Sequence, residues 1–324
     1  MRITVLSGGV GGSRFIKGLI AAKKPGDEIT VIGNTADDIW IFGLRVCPDL
    51  DTLMYTLGGG IDAERGWGRT QETWNAKAEL AAYGQQDTWF GLGDRDIATH
   101  LIRSEMLRNG SGLAEVTRHL CERWRPGVTL LPMTENEVET HIGVTENGVR
   151  KVIHFQEYWI RLRASLPVEA VEVRGSDQAS AGPGVVKAIR EAAVVILPPS
   201  NPIVSVGTIL SIDEIRHALT TGNAPVVGVS PIISSGAVRG MADQLLSGLG
   251  IEISAAGVAT HFGSRQHGGV LDGWLVDDAD SSTLPAIADA SIQGVAVPLY
   301  MTDEATTKTL AKNALDFAIS LKAS

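Results

Sequence analysis

The chain has 324 residues, of which 44% are hydrophobic and 37 are glycine, and its formal net charge at pH 7 is −9. This composition predicts one globular α/β domain, residues 1–324, with many tight turns. The negative charge argues against a nucleic-acid or anionic-membrane partner, because either would need a basic surface stripe. Cys47 and Cys121 form no disulfide framework or zinc pattern, and we find no signal peptide or membrane-length apolar run. We therefore expect a cytoplasmic protein.

The first residues predict a buried strand, a glycine turn and a helix. The apolar run at residues 3–6 lacks the polar alternation of a half-exposed strand, which is typical of a parallel sheet. Glycines follow at once, and from Phe15 onward apolar residues recur at helical spacing. In this geometry backbone N–H groups and a helix N-terminus face an anion. We interpret the turn as a nucleotide phosphate site formed by Gly8, Gly9, Gly11, Gly12 and Ser13. The alternative is a turn that only packs the helix against the sheet.

Neither standard phosphate motif is complete. A Walker loop needs Lys followed by Ser or Thr at the helix start, whereas Ser13 is followed by Arg14. The dinucleotide fingerprint needs a glycine at the position of Arg14. The second predicted strand, residues 28–32, ends in Gly33 and Asn34, where a dehydrogenase usually has Asp or Glu for the ribose. The turn therefore resembles a phosphate loop without matching either motif.

Carboxylates cluster after the second predicted strand. Asp37, Asp38, Asp49 and Asp51 lie within fifteen residues, at the expected carboxyl end of the sheet, where open α/β sheets bind ligands. Their oxygens suit magnesium, which takes one or two carboxylates together with substrate phosphate. Asp51 has an alternative role, since it could cap a helix over residues 52–57.

Aromatic residues surround the next predicted helix, at residues 70–83. Trp67, Trp74 and Trp89 could form a flat wall for a planar ring, although tryptophan more often packs in a core. Arg95 lies between two aspartates at the start of the following predicted helix. It could clamp a ligand anion or carboxylate, or it could form only a surface ion pair beside a helix cap.

The middle of the chain interrupts the parallel pattern. After a predicted strand at residues 128–131, apolar residues alternate from Val138 onward. Asn147 and Gly148 mark a hairpin turn, and the alternation then returns. We predict an antiparallel insertion over residues 136–176, suited to a cap or to the interface of a homodimer.

The parallel pattern then resumes to the end of the chain. Strands are predicted at residues 193–197, 225–229 and 294–297, and helices at 209–219, 236–249 and 304–321. The first two of these strands end in polar turns that contain Ser200, Asn201 and Ser230. These groups could contact a phosphate or a base, or they could be ordinary caps. The predicted fold class is α/β, a Rossmann-like parallel sheet with flanking helices and the smaller antiparallel insertion.

Taken together, the motifs resemble the 2-phospho-L-lactate transferase family of deazaflavin coenzyme biosynthesis, over residues 1–278. Each motif alone is weak, but their order and spacing are specific. The motifs are Ser7-Gly-Gly-Val-Gly11, Asn34-Thr-Ala-Asp-Asp38, Pro48-Asp-Leu-Asp-Thr52, Leu92-Gly-Asp-Arg-Asp96, Leu131-Pro-Met-Thr134, Ser200-Asn-Pro202 and Val229-Ser-Pro-Ile-Ile233. Residues 47–52 and 66–68 look more like the bacterial members, in which the resemblance implies a donor that carries phosphoenolpyruvate.

The resemblance implies a magnesium-dependent transferase. It would move a phosphoenolpyruvyl or 2-phospho-L-lactyl group from a guanosine-diphosphate-linked donor to the terminal hydroxyl of 7,8-didemethyl-8-hydroxy-5-deazariboflavin, and would release GMP. The implied catalytic residues and metal ligands are Asp38 and Asp51. The loop from Gly8 to Ser13 would hold the donor phosphates. Further implied contacts are Ser200, Asn201 and Ser230 for the donor nucleotide, and Asp49, Asp51 and Arg95 for the acceptor.

Two other functions are open at this point. A nucleotide-sugar-binding regulator of the gluconeogenesis-factor type would share the glycine loop, but the motifs at residues 48–52 and 92–96 argue against it. A Rossmann oxidoreductase is disfavoured by Arg14 and Asn34.

Overall fold

The computed structural model describes residues 1–62, 64–238 and 240–322. The strands are β1 (Arg2–Ser7), β2 (Glu28–Gly33), β3 (Ile39–Ile41), β4 (Leu44–Val46), β5 (Thr129–Pro132), β6 (Glu139–Glu146), β7 (Val149–His154), β8 (Ala170–Arg174), β9 (Val194–Leu197), β10 (Val226–Val229), β11 (Ile232–Ile233), β12 (Gly236–Ala237), β13 (Gly273–Val276) and β14 (Gln293–Ala296). The α-helices are α1 (Gly9–Ala22), α2 (Pro48–Leu57), α3 (Asn75–Ala82), α4 (Asp94–Arg108), α5 (Leu113–Trp124), α6 (Val185–Arg190), α7 (Val206–Leu210), α8 (Asp213–Thr221), α9 (Ala242–Gly248), α10 (Ala255–Phe262), α11 (Leu284–Asp289) and α12 (Glu304–Lys322). No helix formed by these residues is long and apolar enough to cross a membrane.

The main sheet has seven parallel strands in the order β14-β13-β10-β9-β1-β2-β5. Successive side chains of a strand point to opposite faces, so each strand serves two cores. In β1, Val5 packs in one hydrophobic cluster with α1, α2, α5 and α12. Leu6 packs in the other cluster with α6, α8, α9 and α10. Both faces are therefore covered by helices, and the predicted α/β class with a parallel sheet is confirmed.

The order of the strands reverses next to β1. From β1 the chain adds β2 and β5 on one side, and then crosses to add β9, β10, β13 and β14 on the other. The loops after β1 and β9 therefore leave the sheet in opposite directions and open a crevice at its carboxyl edge. Ligands of open α/β sheets bind at such a switch point.

The predicted antiparallel segment is a separate three-stranded sheet in the order β7-β6-β8. Asn147 and Gly148 both have positive φ, 52° and 76°, and connect β6 to β7 as a tight hairpin turn. This sheet lies within the predicted boundaries of residues 136–176. Those boundaries, and the single domain over residues 1–324, stay predictions.

Three predicted helices differ from the structure. The helix expected at residues 70–83 begins only at Asn75. The helix expected at 209–219 is divided into α7 and α8, with residues 211 and 212 between them. The helix expected at 236–249 begins at Ala242, because Gly236–Ala237 pairs with Ile232–Ile233 as a short hairpin instead. Position 239 of that prediction, and positions 323 and 324 of the predicted domain, lie outside the described residues.

Helices α1 and α12 are in close contact at Gly18. A Cβ atom built there would lie 2.5 Å from the backbone oxygen of Thr307, so only glycine fits without displacement of α12. We expect Gly18→Val to lower the free energy of unfolding by about 3 kcal/mol, because overpacking forces the helices apart. Lys17→Val is the matched control, since Lys17 is exposed on the same helix and carries the same β-branched penalty. Urea unfolding that gives equal losses for both variants would contradict this close contact.

Candidate functional site

A cleft of about 1110 Å³ opens at the carboxyl edge of the sheet. The loops after β1, β9 and β10 line one part of it, together with the first two turns of α2. The segment between α2 and α4, a turn near Phe155, and residues 299–302 also line it, together with Asp37 and with Asp96 and His100 of α4. The cleft therefore lies at the switch point that the strand order defines.

The glycine turn forms one wall of the cleft. Helix α1 begins at Gly9, and its cap residue, Gly8, has no side chain. The Gly9 N–H faces the Asp49 carboxylate, so the remaining N–H groups of the first turn are the ones left for a ligand. Gly9 has φ +65°, a conformation that favours glycine. Ser13 does not line the cleft, and its Oγ donates to the carbonyl of Val10. What the loop offers is therefore backbone N–H at a helix N-terminus, which is the usual way to bind an anion.

The same glycines also pack tightly against their neighbours. A Cβ on Gly8 would lie 2.2 Å from Asp49 Oδ2, and one on Gly11 would lie 2.3 Å from the carbonyl oxygen of Pro199. A Cβ on Gly12 would overlap the hydroxyls of Ser7 and Ser200. Both interpretations of the turn are therefore compatible with its geometry, since the close packing brings the loops after β1 and β9 together beside the open helix end.

The polar turns after β9 and β10 reach the cleft, but their side chains are engaged within the protein. Ser200 Oγ donates to the carbonyl of Gly8 at 2.8 Å. Asn201 Oδ1 accepts from the amides of residues 203 and 204. Ser230 Oγ donates to the carbonyl of Ile232. All three residues line the cleft, and their hydrogen bonds shape the turns around it.

Asp37 and Asp49 form a pair of carboxylates on the cleft wall. Burial raises the pKa of Asp49 to about 6, although Asn34 donates to its Oδ2 at 2.9 Å. Burial, and then the charge of Asp49, raise the pKa of Asp37 well above its ordinary value. Asp37 Oδ1 accepts no hydrogen bond from the described residues. The two carboxylates repel each other and have no cationic side chain between them, an arrangement that a divalent cation would stabilise.

Asp38 is directed away from this pair. It is fully buried, it does not line the cleft, and its Oδ2 lies 3.4 Å from Arg45 Nη2. Burial raises its pKa to about 7, even though Arg45 acts in the opposite direction. Its charge is therefore paired within the protein, next to the cleft but not in it.

Asp51 lines the cleft and is held by Arg103 of α4. The carboxylate accepts from both terminal nitrogens of Arg103, and the Nη1–Oδ2 distance is 3.1 Å. The alternative that Asp51 caps a helix is wrong, because α2 begins three residues earlier at Pro48 and Cys47 occupies the cap position. Among the described residues, no group of three or more His, Cys, Asp or Glu side chains could hold a metal alone.

Three tryptophans make part of the cleft lining aromatic, and we call them the aromatic wall. Trp67, Trp74 and Trp89 all line it, and none of the three is fully buried. The guanidinium of Arg65 lies 5.3 Å from the Trp67 ring and 5.2 Å from the Trp74 ring. The predicted ligand arginine, Arg95, is exposed and does not line the cleft, and its Nη1 lies 3.3 Å from Gln71 Oε1. Arg65 is the arginine that reaches this wall.

Tyr55 and His100 also line the cleft, although the sequence did not predict a role for them. The signal that could have found them is helical spacing. Tyr55 follows Asp51 by four residues on α2, and His100 follows Asp96 by four residues on α4, so each pair shares a helix face.

The ion pair of Asp51 and Arg103 is almost completely buried, with side-chain exposures of 7% and 2%. We expect Asp51→Asn to lower the free energy of unfolding by about 3 kcal/mol, because it leaves a buried, unpaired arginine. Asp316→Asn is the matched control, since Asp316 pairs with Lys312 on the surface and such pairs contribute little. Denaturation curves in which Asp51→Asn matches the control would show that the pair is not desolvated.

Comparison with known proteins assigns the family. The family described as 2-phospho-L-lactate transferase CofD matches residues 3–313. Proteins named phosphoenolpyruvate transferase from Streptomyces coelicolor and Streptomyces avermitilis are 56% and 57% identical over 318 residues, covering 98% of each chain. One from Thermobifida fusca is 54% identical over 329 residues, 99% of each chain.

A crystal structure of a Bacillus halodurans protein has the same fold, with a TM-score of 0.64 over 97% of this chain and 99% of that one. Its sequence identity is only 16%, so it supports the fold alone. The sequence matches extend over nearly the whole chain. The chain therefore belongs to the 2-phospho-L-lactate transferase CofD family and is a transferase.

Proposed function

We propose that the chain transfers a phosphoenolpyruvyl group from a guanosine-diphosphate-linked donor to the terminal hydroxyl of 7,8-didemethyl-8-hydroxy-5-deazariboflavin. GMP leaves, and the product is an intermediate of coenzyme F-420 biosynthesis. The observation that carries the proposal is one cleft that combines an open helix N-terminus, a carboxylate pair and an aromatic wall. The names of the similar Streptomyces and Thermobifida proteins favour phosphoenolpyruvate over 2-phospho-L-lactate as the carried group.

On the donor side, the N–H groups that begin α1 bind the diphosphate, and Gly9 and Gly11 let it approach the backbone. Ser200, Asn201 and Ser230 hold the neighbouring turns in place through the hydrogen bonds described above. Their contribution to donor binding is therefore mainly the shape of the pocket.

The carboxylate pair of Asp37 and Asp49 fits a magnesium ion. Both lie on the cleft wall, both have raised pKa values, and Asp37 Oδ1 has no hydrogen-bond partner among the described residues. Magnesium needs only one or two carboxylates when substrate phosphates complete its coordination, and it neutralises phosphate charge during transfer. Asp38 also has a raised pKa and an Oδ1 without a partner among the described residues, but it lies beside Arg45 and does not line the cleft. Asp51 is paired with Arg103, so we favour Asp37 and Asp49.

On the acceptor side, the tryptophan wall holds the planar ring of the deazaflavin by stacking. Asp51, fixed by Arg103, accepts a hydrogen bond from the terminal hydroxyl and so directs its oxygen lone pair toward the donor phosphorus. Phosphoryl transfer depends mainly on such positioning and on charge neutralisation.

The reaction can be tested with the purified protein, the deazaflavin, GTP, magnesium, phosphoenolpyruvate and a guanylyltransferase that makes the donor. We expect mass spectrometry to detect the phosphoenolpyruvyl adduct of the deazaflavin, and no adduct when the protein is omitted. GDP at a hundred times its Kd should stabilise the fold by about 2.7 kcal/mol, whereas NAD should not. No adduct, together with stabilisation by NAD alone, would reject the proposal.

Magnesium dependence separates the two sets of carboxylates. We expect Asp37→Asn and Asp49→Asn to raise the magnesium concentration needed for half-maximal turnover by at least about tenfold, since each removes a charged ligand. Asp38→Asn is the comparison variant, because Asp38 lies outside the cleft lining, and we expect it to leave this concentration unchanged. The opposite ranking in a magnesium titration would assign the ion to Asp38.

A further inference from the structure

His100 presents a hydrogen-bond donor that the described residues do not satisfy. Its side chain is 1% exposed. Its Nδ1 lies 3.1 Å from Arg103 Nη1, and arginine has no acceptor, so Nδ1 accepts and the ring proton is on Nε2. Nε2 lies 3.5 Å from Asp96 Oδ2 without hydrogen-bond geometry, and it has no partner among the described residues. A buried N–H without a partner costs free energy, and this one belongs to a residue that lines the cleft.

The groups around His100 define the chemistry of a ligand there. Asp51 lies 3.8 Å from Nδ1, and Asp96 lies beside Nε2 and accepts from the Tyr55 hydroxyl at 2.5 Å. Although burial alone would raise the pKa of Asp96, the neighbouring His100 and the Tyr55 hydroxyl lower it, so the group is charged at neutral pH. Two carboxylates and one arginine give this cluster a net negative charge.

A negative cluster disfavours a phosphate or a carboxylate ligand. The cluster offers one N–H donor and two carboxylate acceptors, which suits a ligand whose oxygens both accept and donate. Hydroxyl groups do this, and a neutral chain of several hydroxyls would satisfy His100 and Asp96 together. The ligand chemistry is therefore that of a polyol.

The cluster also lies at a defined distance from the donor phosphates. Asp49 contacts the glycine loop, and Asp51 and Tyr55 follow it along α2. Tyr55 follows Asp49 by six positions, which corresponds to about 9 Å along the helix axis. The cluster therefore lies farther along α2 than the residue that contacts the glycine loop.

We infer that His100 and Asp96 bind the internal hydroxyl groups of the acceptor's ribityl chain, with the Nε2–H of His100 as donor and Asp96 as acceptor. The inference rests on the proposed function and adds residues that determine acceptor specificity. Arg103 is a positioning residue in this arrangement, because it holds Asp51 and fixes the tautomer of His100.

The test compares the natural acceptor with an analogue whose ribityl chain is replaced by a hydroxypentyl chain, which keeps only the terminal hydroxyl. For the wild type we expect kcat/KM to be about 10- to 100-fold lower with the analogue, because the buried donor and acceptor then have no partner. For His100→Phe we expect a similar loss with the natural acceptor but little further loss with the analogue. His119→Phe is the control, since His119 is half exposed on α5 and should behave like the wild type.

The outcomes separate the inference from the proposed function. The inference is overturned if His100→Phe lowers kcat/KM equally for both acceptors, or if the wild type does not distinguish the two acceptors. In either case turnover of the natural acceptor still supports the proposed function. If the wild type forms no adduct with the natural acceptor, the proposed function fails. Should His100→Phe not fold, Asp96→Leu carries the same comparison because it removes the acceptor, and His100→Gln should restore part of the preference because its amide keeps a donor.

Discussion

The close contact between the loops after β1 and β9 is the constraint on which the rest of the site depends. Gly11 lies against the carbonyl of Pro199, and Ser200 donates to the carbonyl of Gly8 across the same junction. Because the strand order reverses here, these two loops leave the sheet in opposite directions and the crevice between them faces the open end of α1. A side chain at Gly11 would separate the loops, so the position of the anion site and the closure of the sheet edge depend on the same residue.

The four clustered carboxylates differ in whether an arginine pairs with them. Asp38 and Asp51 form ion pairs with Arg45 and Arg103, whereas Asp37 and Asp49 form no ion pair with the described residues. Burial raises the pKa of Asp37, Asp38 and Asp49. Buried charges need compensation, so the uncompensated pair is the one that a cation from solution would join. The unpaired carboxylates are therefore the ones to which we assign the cation in the proposed function.

The proposed acceptor side of the cleft is built on helix faces rather than on strand ends. Asp51 and Tyr55 share one face of α2, Asp96 and His100 share one face of α4, and Arg103 joins the two helices. Helices hold side chains more rigidly than loops do, which suits the positioning of a flexible hydroxyl chain. The tryptophans, by contrast, lie in and beside a segment whose helix α3 has no buried side chain among the described residues.

Local pattern determined much of this protein. The apolar runs predict six of the seven strands of the parallel sheet, all except β13 (Gly273–Val276). Asn147 and Gly148 predict the hairpin, and the ordered motifs identify the family. Tertiary structure decided which carboxylates face the cleft. Arg103 lies 52 residues from Asp51 in the chain, so their ion pair exists only in the folded protein. The close spacing of Asp37 with Asp38, or of Asp49 with Asp51, does not reveal which aspartate of each pair has a cationic partner.

The aspartates on either side of Arg95 predict that it contacts a ligand. Arg95 is exposed instead, because α4 turns His100 and Arg103 inward and Arg95 outward. Long-range charge pairing, which local spacing does not encode, and the packing that fixes which face of α4 is buried made that selection.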